Sequence, residues 1–473
     1  MKVNLFFKND IGKFNSKELI KIISILILPN IIFLIVAYWT ATSRPLINID
    51  YLIAAFFLFT HWKIIRFIGL FVLIGALFFD SLMLLIQIFP FMDFAAIRYL
   101  SSFIALAPNL YKFGFLFFLI FLFTIVGVMY RLTFKIDQRA QAVFINSILL
   151  IITLFFMQTR ITYAEFRAIL GRDNYFVAYS QLSLYQEVRK DAFWNDSAIT
   201  PKMEPLKNQK NSARYYLSQP NSEKVLYIIA ESWGSLKNNE INKQIVQNIV
   251  NQKNDLQFVN MGSFYTMGAT VAGELRELCS MELMNNGFAF SRLNPSIFSK
   301  CLPNQLSHKS YKTIALHGAN GVLYDRKDWY KHAGFQDVLF GENFIGLQRC
   351  KAFNGICDEK LFNVVGNKFR ENINEKLFFY WMTLTSHSPY VENDIHHRRI
   401  DCEKFAINID GEMCRNIHLQ AQFFDDLAKL LQKPEMRGVE VMVVGDHQPP
   451  FFTQDFKYVI PLTVSYIHLK VKK

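Results

Sequence analysis

Two carboxylates, three histidines, a threonine and an arginine stand out in the second half of this 473-residue chain. Glu231 follows the apolar run VLYIIA, and Asp446-His447 follow VEVMVVG. Thr270 lies in GATVAGE, His317 and Arg326 bracket HGANGVLYDR, and His387 sits in TSHSPY. A carboxylate beside an imidazole suits zinc or manganese, with magnesium a further candidate. A threonine hydroxyl is a poor nucleophile at neutral pH, but a divalent cation stabilises its alkoxide. Arginine offers a planar fork that matches phosphate oxygens. Together these residue types describe metal-assisted phosphoryl transfer. Each also has an ordinary reading alone: Glu231 as a helix cap or lysine partner, Thr270 as an N-cap, the histidines and Arg326 as structural groups.

What raises them above that reading is where the elements must put them. The runs before Glu231, His317, His387 and Asp446 are short and rich in Val, Ile, Phe and Tyr. Buried parallel strands read that way. In open α/β sheets ligands bind outside the carboxyl ends of such strands, so one rim would gather these side chains. VAGELRELCSMELM reads as a helix. Thr270 would be its N-cap, Gly268 would give a tight approach, and Glu274 would fall in the first turn. Tyr324 lies in the loop between His317 and Arg326.

Hydrophobic residues make up 52% of the chain, aromatics 15%, and there are 47 phenylalanines. The excess lies before about residue 160. Five spans are expected: Ile20–Tyr38, a shorter and weaker one around Ile53–Trp62, Phe67–Phe89, Phe113–Tyr130 and Ala142–Met157. Asp80 lies inside the third and takes no assigned role. The formal net charge is +12, and Lys and Arg flank the apolar spans. That favours a lipid bilayer as partner, and no nucleic-acid signature is visible. Lys21, Lys63, Arg66, Lys135 and Arg139 assign their ends of the spans to the cytoplasm, so five crossings put everything after about residue 159 outside. All six cysteines lie beyond the last span, and no C-x-x-C occurs. Disulfides in an oxidising compartment are expected, with Cys350–Cys357 and Cys402–Cys414 the near-neighbour pairs. The expected organisation is a transmembrane domain over 1–158, an amphipathic helix (160–176) and linker over 159–222, and a catalytic domain over 223–473. The fold class is an α-helical membrane bundle followed by an α/β domain with a central, mainly parallel sheet.

These motifs, in this order, resemble the alkaline phosphatase and sulfatase superfamily, and within it the membrane-anchored phosphotransferases: lipoteichoic acid synthases, phosphoglycerol transferases and lipopolysaccharide phosphoethanolamine transferases. The likeness rests on the ES at 231–232, Gly268, Thr270, Gly273 and Glu274 in G-x-T-x-x-G-E, His317 with Gly318 and Arg326, the T-x-H-x-P-Y around His387, and the GDH ending in Asp446 and His447. It implies that Glu231, Thr270, Asp446 and His447 hold the metal and that Thr270 is the phosphorylated nucleophile. His317, Arg326 and His387 would hold the phosphate and the alcohol. Tyr324 would join them in binding the substrate headgroup, standing where lipoteichoic acid synthases carry tryptophan. The implied donor is a membrane phospholipid, and the implied acceptor is an envelope glycan such as lipopolysaccharide. The implied location is a bacterial inner membrane with the catalytic domain on the periplasmic side. Alternatives are a sulfatase-like hydrolase or phosphodiesterase, or an inactive binding module. The nearest match to the C-x-P-x-R of sulfatases, CLPNQ at Cys301, lacks the arginine.

Overall fold

The computed structural model describes residues 16–40, 42–89, 92–107, 109–159, 176–188, 199–217, 219–351 and 354–473. The surface helix expected over 160–176 lies almost wholly outside them. The chain forms two compact units. One comprises 1–93, 109–192 and 452–454, and the other 94–108, 193–451 and 455–473.

In the first unit, four helices are long and apolar enough to cross a membrane: Ser16–Thr40, Lys63–Ile88, Tyr111–Phe134 and Arg139–Thr159. The second expected span is instead the ten-residue helix Ile49–Leu58, too short to cross alone. The preceding segment turns back beside the bundle to complete the pass. Ser43 exchanges two hydrogen bonds with Gln87, near the end of the helix Lys63–Ile88. Arg44 then reaches Asn30 O at 3.1 Å, halfway down the first helix. Thr60, past the short helix, accepts from Arg139 Nη1 at 3.2 Å. Lys21 Nζ meets Lys135 O at 3.2 Å, so the basic residues share one end.

An irregular backbone at that depth needs polar partners of its own. Asp80 supplies them. Its carboxylate takes the Arg44 fork (3.1 and 2.6 Å), the Tyr51 hydroxyl (2.8 Å) and Gln181 Nε2 (2.9 Å). Asn30 Oδ1 accepts from Asn48 N at 2.7 Å. Strand β1 (Ile47–Asn48) pairs in parallel with β2 (Ala178–Tyr179) in the same region.

The second unit holds an eight-stranded sheet. A small antiparallel pair, β3 (Met203–Pro205) with β7 (Met281–Leu283), lies outside it. The sheet strands in chain order are β4 (Lys224–Ala230), β5 (Gly234–Leu236), β6 (Leu256–Tyr265), β8 (Lys312–His317), β9 (Asp337–Phe340), β10 (Leu377–Met382), β11 (Glu440–Gly445) and β12 (Val459–Val471). Their spatial order is β5-β12-β11-β4-β10-β8-β9, and β6 also pairs with β12. Strands β11, β4, β10, β8 and β9 run parallel, while β12 is antiparallel to its neighbours. The parallel strands are sheathed by helices, which is why β10 and β11 are buried along their whole length. This is the mainly parallel α/β architecture expected from the sequence. The six cysteines pair as Cys279–Cys301, Cys350–Cys357 and Cys402–Cys414.

Candidate active site

Strands β4 and β11 lie side by side with Ala230 opposite Gly445, so Glu231 and Asp446 leave the sheet together. Gly445 has no substitute there, because a Cβ would sit 2.1 Å from Trp233 O. Ser232, in the left-handed region at φ 56°, turns its amide onto Asp446 Oδ1 at 2.8 Å. The His447 amide donates to the same oxygen at 2.7 Å. The His447 Nδ1–H donates to Gln448 O at 2.8 Å, which leaves the Nε2 lone pair facing the carboxylates. Nε2 lies 3.3 Å from Asp446 Oδ2 and 3.5 Å from Glu231 Oε1.

Thr270 enters from the helix Thr270–Cys279. Its Oγ1 lies 3.3 Å from Glu231 Oε2 and 3.4 Å from His447 Nε2. The sequence reading made Thr270 the N-cap and put Glu274 in the first turn. The structure corrects both: Ala269 is the cap, Thr270 is the first helical residue, and Glu274 falls just past the first turn. Gly268, at φ +106°, reverses the chain one residue early. The Thr270 hydroxyl therefore faces the carboxylates instead of capping its own helix. Gly273 lets the helix approach, since a Cβ there would be 2.9 Å from Asp446 Cα.

The donor set fits a divalent cation. Glu231, Asp446 and His447 each offer a ligand atom, all within 4.8 Å of one another. Asp446 Oδ2 is buried and accepts no hydrogen bond, an expensive state for a carboxylate oxygen. Burial and then the Glu231 charge push Asp446 up to about 7. For His447 burial acts downward, but Asp446 and Glu231 outweigh it and raise the pKa. Two buried acids this close favour a positive charge between them. The second His-and-Cys cluster, around His418, is of another kind, because Cys402 and Cys414 are joined in a disulfide.

Arg326 and the other histidines sit on the same side. Arg326 is buried against Glu274, with Nη2 2.7 Å from Oε2 and Nε 3.0 Å from the same oxygen. Tyr380 donates to Glu274 Oε1 at 3.1 Å, and the Tyr330 hydroxyl also reaches it. The guanidinium lies 5.0 Å from the Tyr324 ring centre. So the fork expected to face phosphate is engaged by a carboxylate, and Tyr324 packs beneath it. His317 donates from Nδ1 to Met382 O at 3.0 Å, and His387 uses Nδ1 on Ser388 O. All three imidazoles thus anchor through Nδ1. Burial, then the charge of Arg326, pulls His317 down to about 3. Burial, with the His447 charge adding to it, pulls His387 down to about 4.

Several supporting residues escaped the sequence reading. Thr383 Oγ1 receives the Glu231 amide at 2.9 Å, and Ser386 Oγ donates to Glu231 O at 2.7 Å. Asp358 Oδ2 accepts the amides of Leu384 (2.9 Å) and Thr385 (2.7 Å), fixing the loop that leads to His387. Arg276 Nη2 holds Gly445 O at 2.9 Å, tying the Thr270 helix to β11. Tyr99 donates to Asp325 Oδ1 at 3.1 Å, beside Tyr324. The hydroxyl-rich TLTSHS after β10 is the one signal that pointed toward Thr383 and Ser386. The targets of Arg276 and Tyr99 lie 169 and 226 residues away, beyond any local pattern.

The sequence model of the Sulfatase family matches residues 223–460, half of the chain, and the chain belongs to that family. It is 21% identical over 286 residues to the lipoteichoic acid synthase of Staphylococcus aureus, covering 59% of this chain and 44% of that one. The chain spans less than half the length of the curated relatives it matches. Among solved structures it resembles the Streptococcus pyogenes phosphoglycerol transferase GacH in complex with sn-glycerol-1-phosphate. That match has 18% identity, covers 56% of this chain and 77% of that chain, and has a TM-score of 0.37. It also resembles the C-terminal periplasmic domain of EcEptC from Escherichia coli in complex with zinc. There the identity is 16%, the coverage 54% and 74%, and the TM-score 0.34.

Proposed function

We propose that this protein moves a phospho-alcohol headgroup, phosphoethanolamine or phosphoglycerol, from a membrane phospholipid to a cell-envelope glycan through a phosphothreonine intermediate. The observation that carries this reading is the meeting of Thr270 Oγ1 with Glu231 Oε2 and His447 Nε2 at the rim of the parallel strands. Glu231, Asp446, His447 and Thr270 would hold a divalent cation, zinc or manganese by donor type. Such a cation lowers the pKa of the threonine hydroxyl and offsets charge on the phosphate oxygens.

Thr270 Oγ1 attacks phosphorus, the P–O bond to diacylglycerol breaks, and the diacylglycerol oxygen leaves with the proton that the threonine hydroxyl gives up through Glu231. Glu231 Oε2, in reach of the hydroxyl, takes the threonine proton. An acceptor hydroxyl then attacks the phosphothreonine, and Thr270 Oγ1 leaves. The acceptor's proton goes to Glu231 Oε2 and on to the departing Thr270 Oγ1, while His387 and His317, pulled down to about 4 and 3, rest neutral at pH 7 and can hold the incoming hydroxyl without adding charge. Arg326, anchored on Glu274 through Nε and Nη2, would hold the phosphate beside Tyr324. An inner-membrane protein with this unit on the periplasmic side fits the three disulfides and the clustering of basic residues at one end of the bundle.

Thr270→Ala in the full-length protein tests the reading. Headgroup transfer should fall on the order of 10³-fold or more, with the melting temperature little changed. Near-native turnover by that variant would sink it.

A further inference from the structure

Tyr99 lies on the helix Phe94–Ser101. The segment 94–108 is part of the α/β unit, although the chain before and after it, 1–93 and 109–192, belongs to the helical unit. In sequence it stands between two helices of membrane-crossing length, Lys63–Ile88 and Tyr111–Phe134. A short piece of chain between two such helices is thus built into the catalytic unit, and it is built in beside Tyr324. Tyr99 donates to Asp325 Oδ1 at 3.1 Å. Its ring centre lies 6.1 Å from that of Phe288, and Phe288 meets the Tyr324 ring edge to face at 5.1 Å.

Tyr324 and Asp325 need such support. Both lie in the left-handed region, at φ 57° and 52°. Aspartate tolerates that region, but a bulky tyrosine stays there only where its surroundings over-determine the backbone. Two sets of contacts do so. Within the turn, Asp325 N donates to Val322 O and Lys327 N to Gly321 O, both at 3.0 Å. From outside, Tyr99 holds Asp325 Oδ1, while the Ser291 amide (2.9 Å) and hydroxyl (2.8 Å) hold Oδ2. The turn aims Tyr324 at the reaction centre. Burial, with the Glu231, Glu274 and Asp446 charges acting against that of Arg326, pushes the Tyr324 hydroxyl well up.

We propose that Tyr99 is a positioning residue for headgroup transfer, holding the Tyr324 ring in place for the phospho-alcohol through Asp325 and Phe288. The proposal rests on the transferase reading and adds to it a residue from outside the Sulfatase match at 223–460.

Full-length Tyr99→Phe keeps the ring and removes only the hydroxyl. Its kcat/KM for transfer from phosphatidylethanolamine or phosphatidylglycerol should fall about ten-fold, the effect of losing one hydrogen bond to a charged group, with the melting temperature little changed. In the Tyr324→Ala background the same substitution should have no further effect, because the two residues act as one unit. A merely structural tyrosine would lower both backgrounds alike. Hydrogen exchange gives a reading that needs no turnover: the peptide 321–327 should exchange about ten-fold faster in Tyr99→Phe, with the rest of the unit as in the parent. Native turnover or native exchange in Tyr99→Phe overturns the proposal, and so does an equal loss in both backgrounds. A parent that transfers no headgroup would instead sink the transferase reading, and exchange would still decide whether Tyr99 holds the turn.

Discussion

At the scale of single residues, the centre is a charge problem with a chemical use. Asp446 and Glu231 face each other in a buried setting, and a cation between them would relieve both. Asp446→Asn should therefore cut the metal retained by the purified protein to well below one per chain. Thr270→Ala should keep most of it. Elemental analysis of both variants checks this, and equal metal in all three proteins contradicts it. Like His387, His317 contributes to the acid limit. Its unfolded pKa is near 6.5 and its folded value about 3, so the unfolded chain binds the extra proton. The stability it contributes is complete above pH 6.5 and is withdrawn as pH falls toward 3. His317→Gln should flatten the fall in melting temperature between pH 6.5 and 4, and parallel curves would contradict the assignment. Glu231, Asp446 and His447 were legible because each directly follows an apolar strand. The partner of Arg326 was not. Whether a guanidinium meets a ligand or Glu274, 52 residues away, is settled by packing that no local pattern carries.

At the scale of elements, precision comes from close approaches. The Thr270 helix rests on Asp446 through Gly273 and is tied to β11 by Arg276. Gly273→Ala should cost about 1–3 kcal/mol through overpacking and displace the nucleophile. Thermal melts and turnover, read together, check it: transfer should fall further than the stability loss alone explains, and unchanged turnover would contradict the contact. The parallel strands β4, β8, β10 and β11 were readable because burial on both faces leaves unbroken apolar runs. The start of the Thr270 helix was misread by one residue, since Ala269 and Thr270 both suit an extended cap and only the turn at Gly268 decides. The second span was misread because hydropathy counts apolar residues. It does not reveal that part of the pass is extended chain held by Asp80.

At the scale of the whole molecule, the chain is an apolar helical unit and a disulfide-tied α/β unit of the Sulfatase family. Each is stabilised by different means. Asp80 holds Arg44 with both side chains fully buried. Asp80→Leu should leave that guanidinium uncompensated and cost about 3–5 kcal/mol, while the pair Arg44→Met with Asp80→Leu should recover much of it. Melting in detergent measures both, and a single variant as stable as the parent would contradict the account. The cysteine pattern made the disulfides readable from sequence, and two of the three pairings followed from spacing. The third, Cys279–Cys301, is the pair that those two leave, and it ties the end of the Thr270 helix to the cap of the helix Leu302–Ser307.

The most direct measurement is a peptide mass of the full-length protein after brief incubation with phosphatidylethanolamine and phosphatidylglycerol and no acceptor. The peptide containing Thr270 should gain the mass of one phospho-alcohol, localised to that side chain, and lose it when acceptor glycan is added. Release of the headgroup with an unmodified Thr270 at every time point, or the added mass on any other residue, would contradict the covalent route.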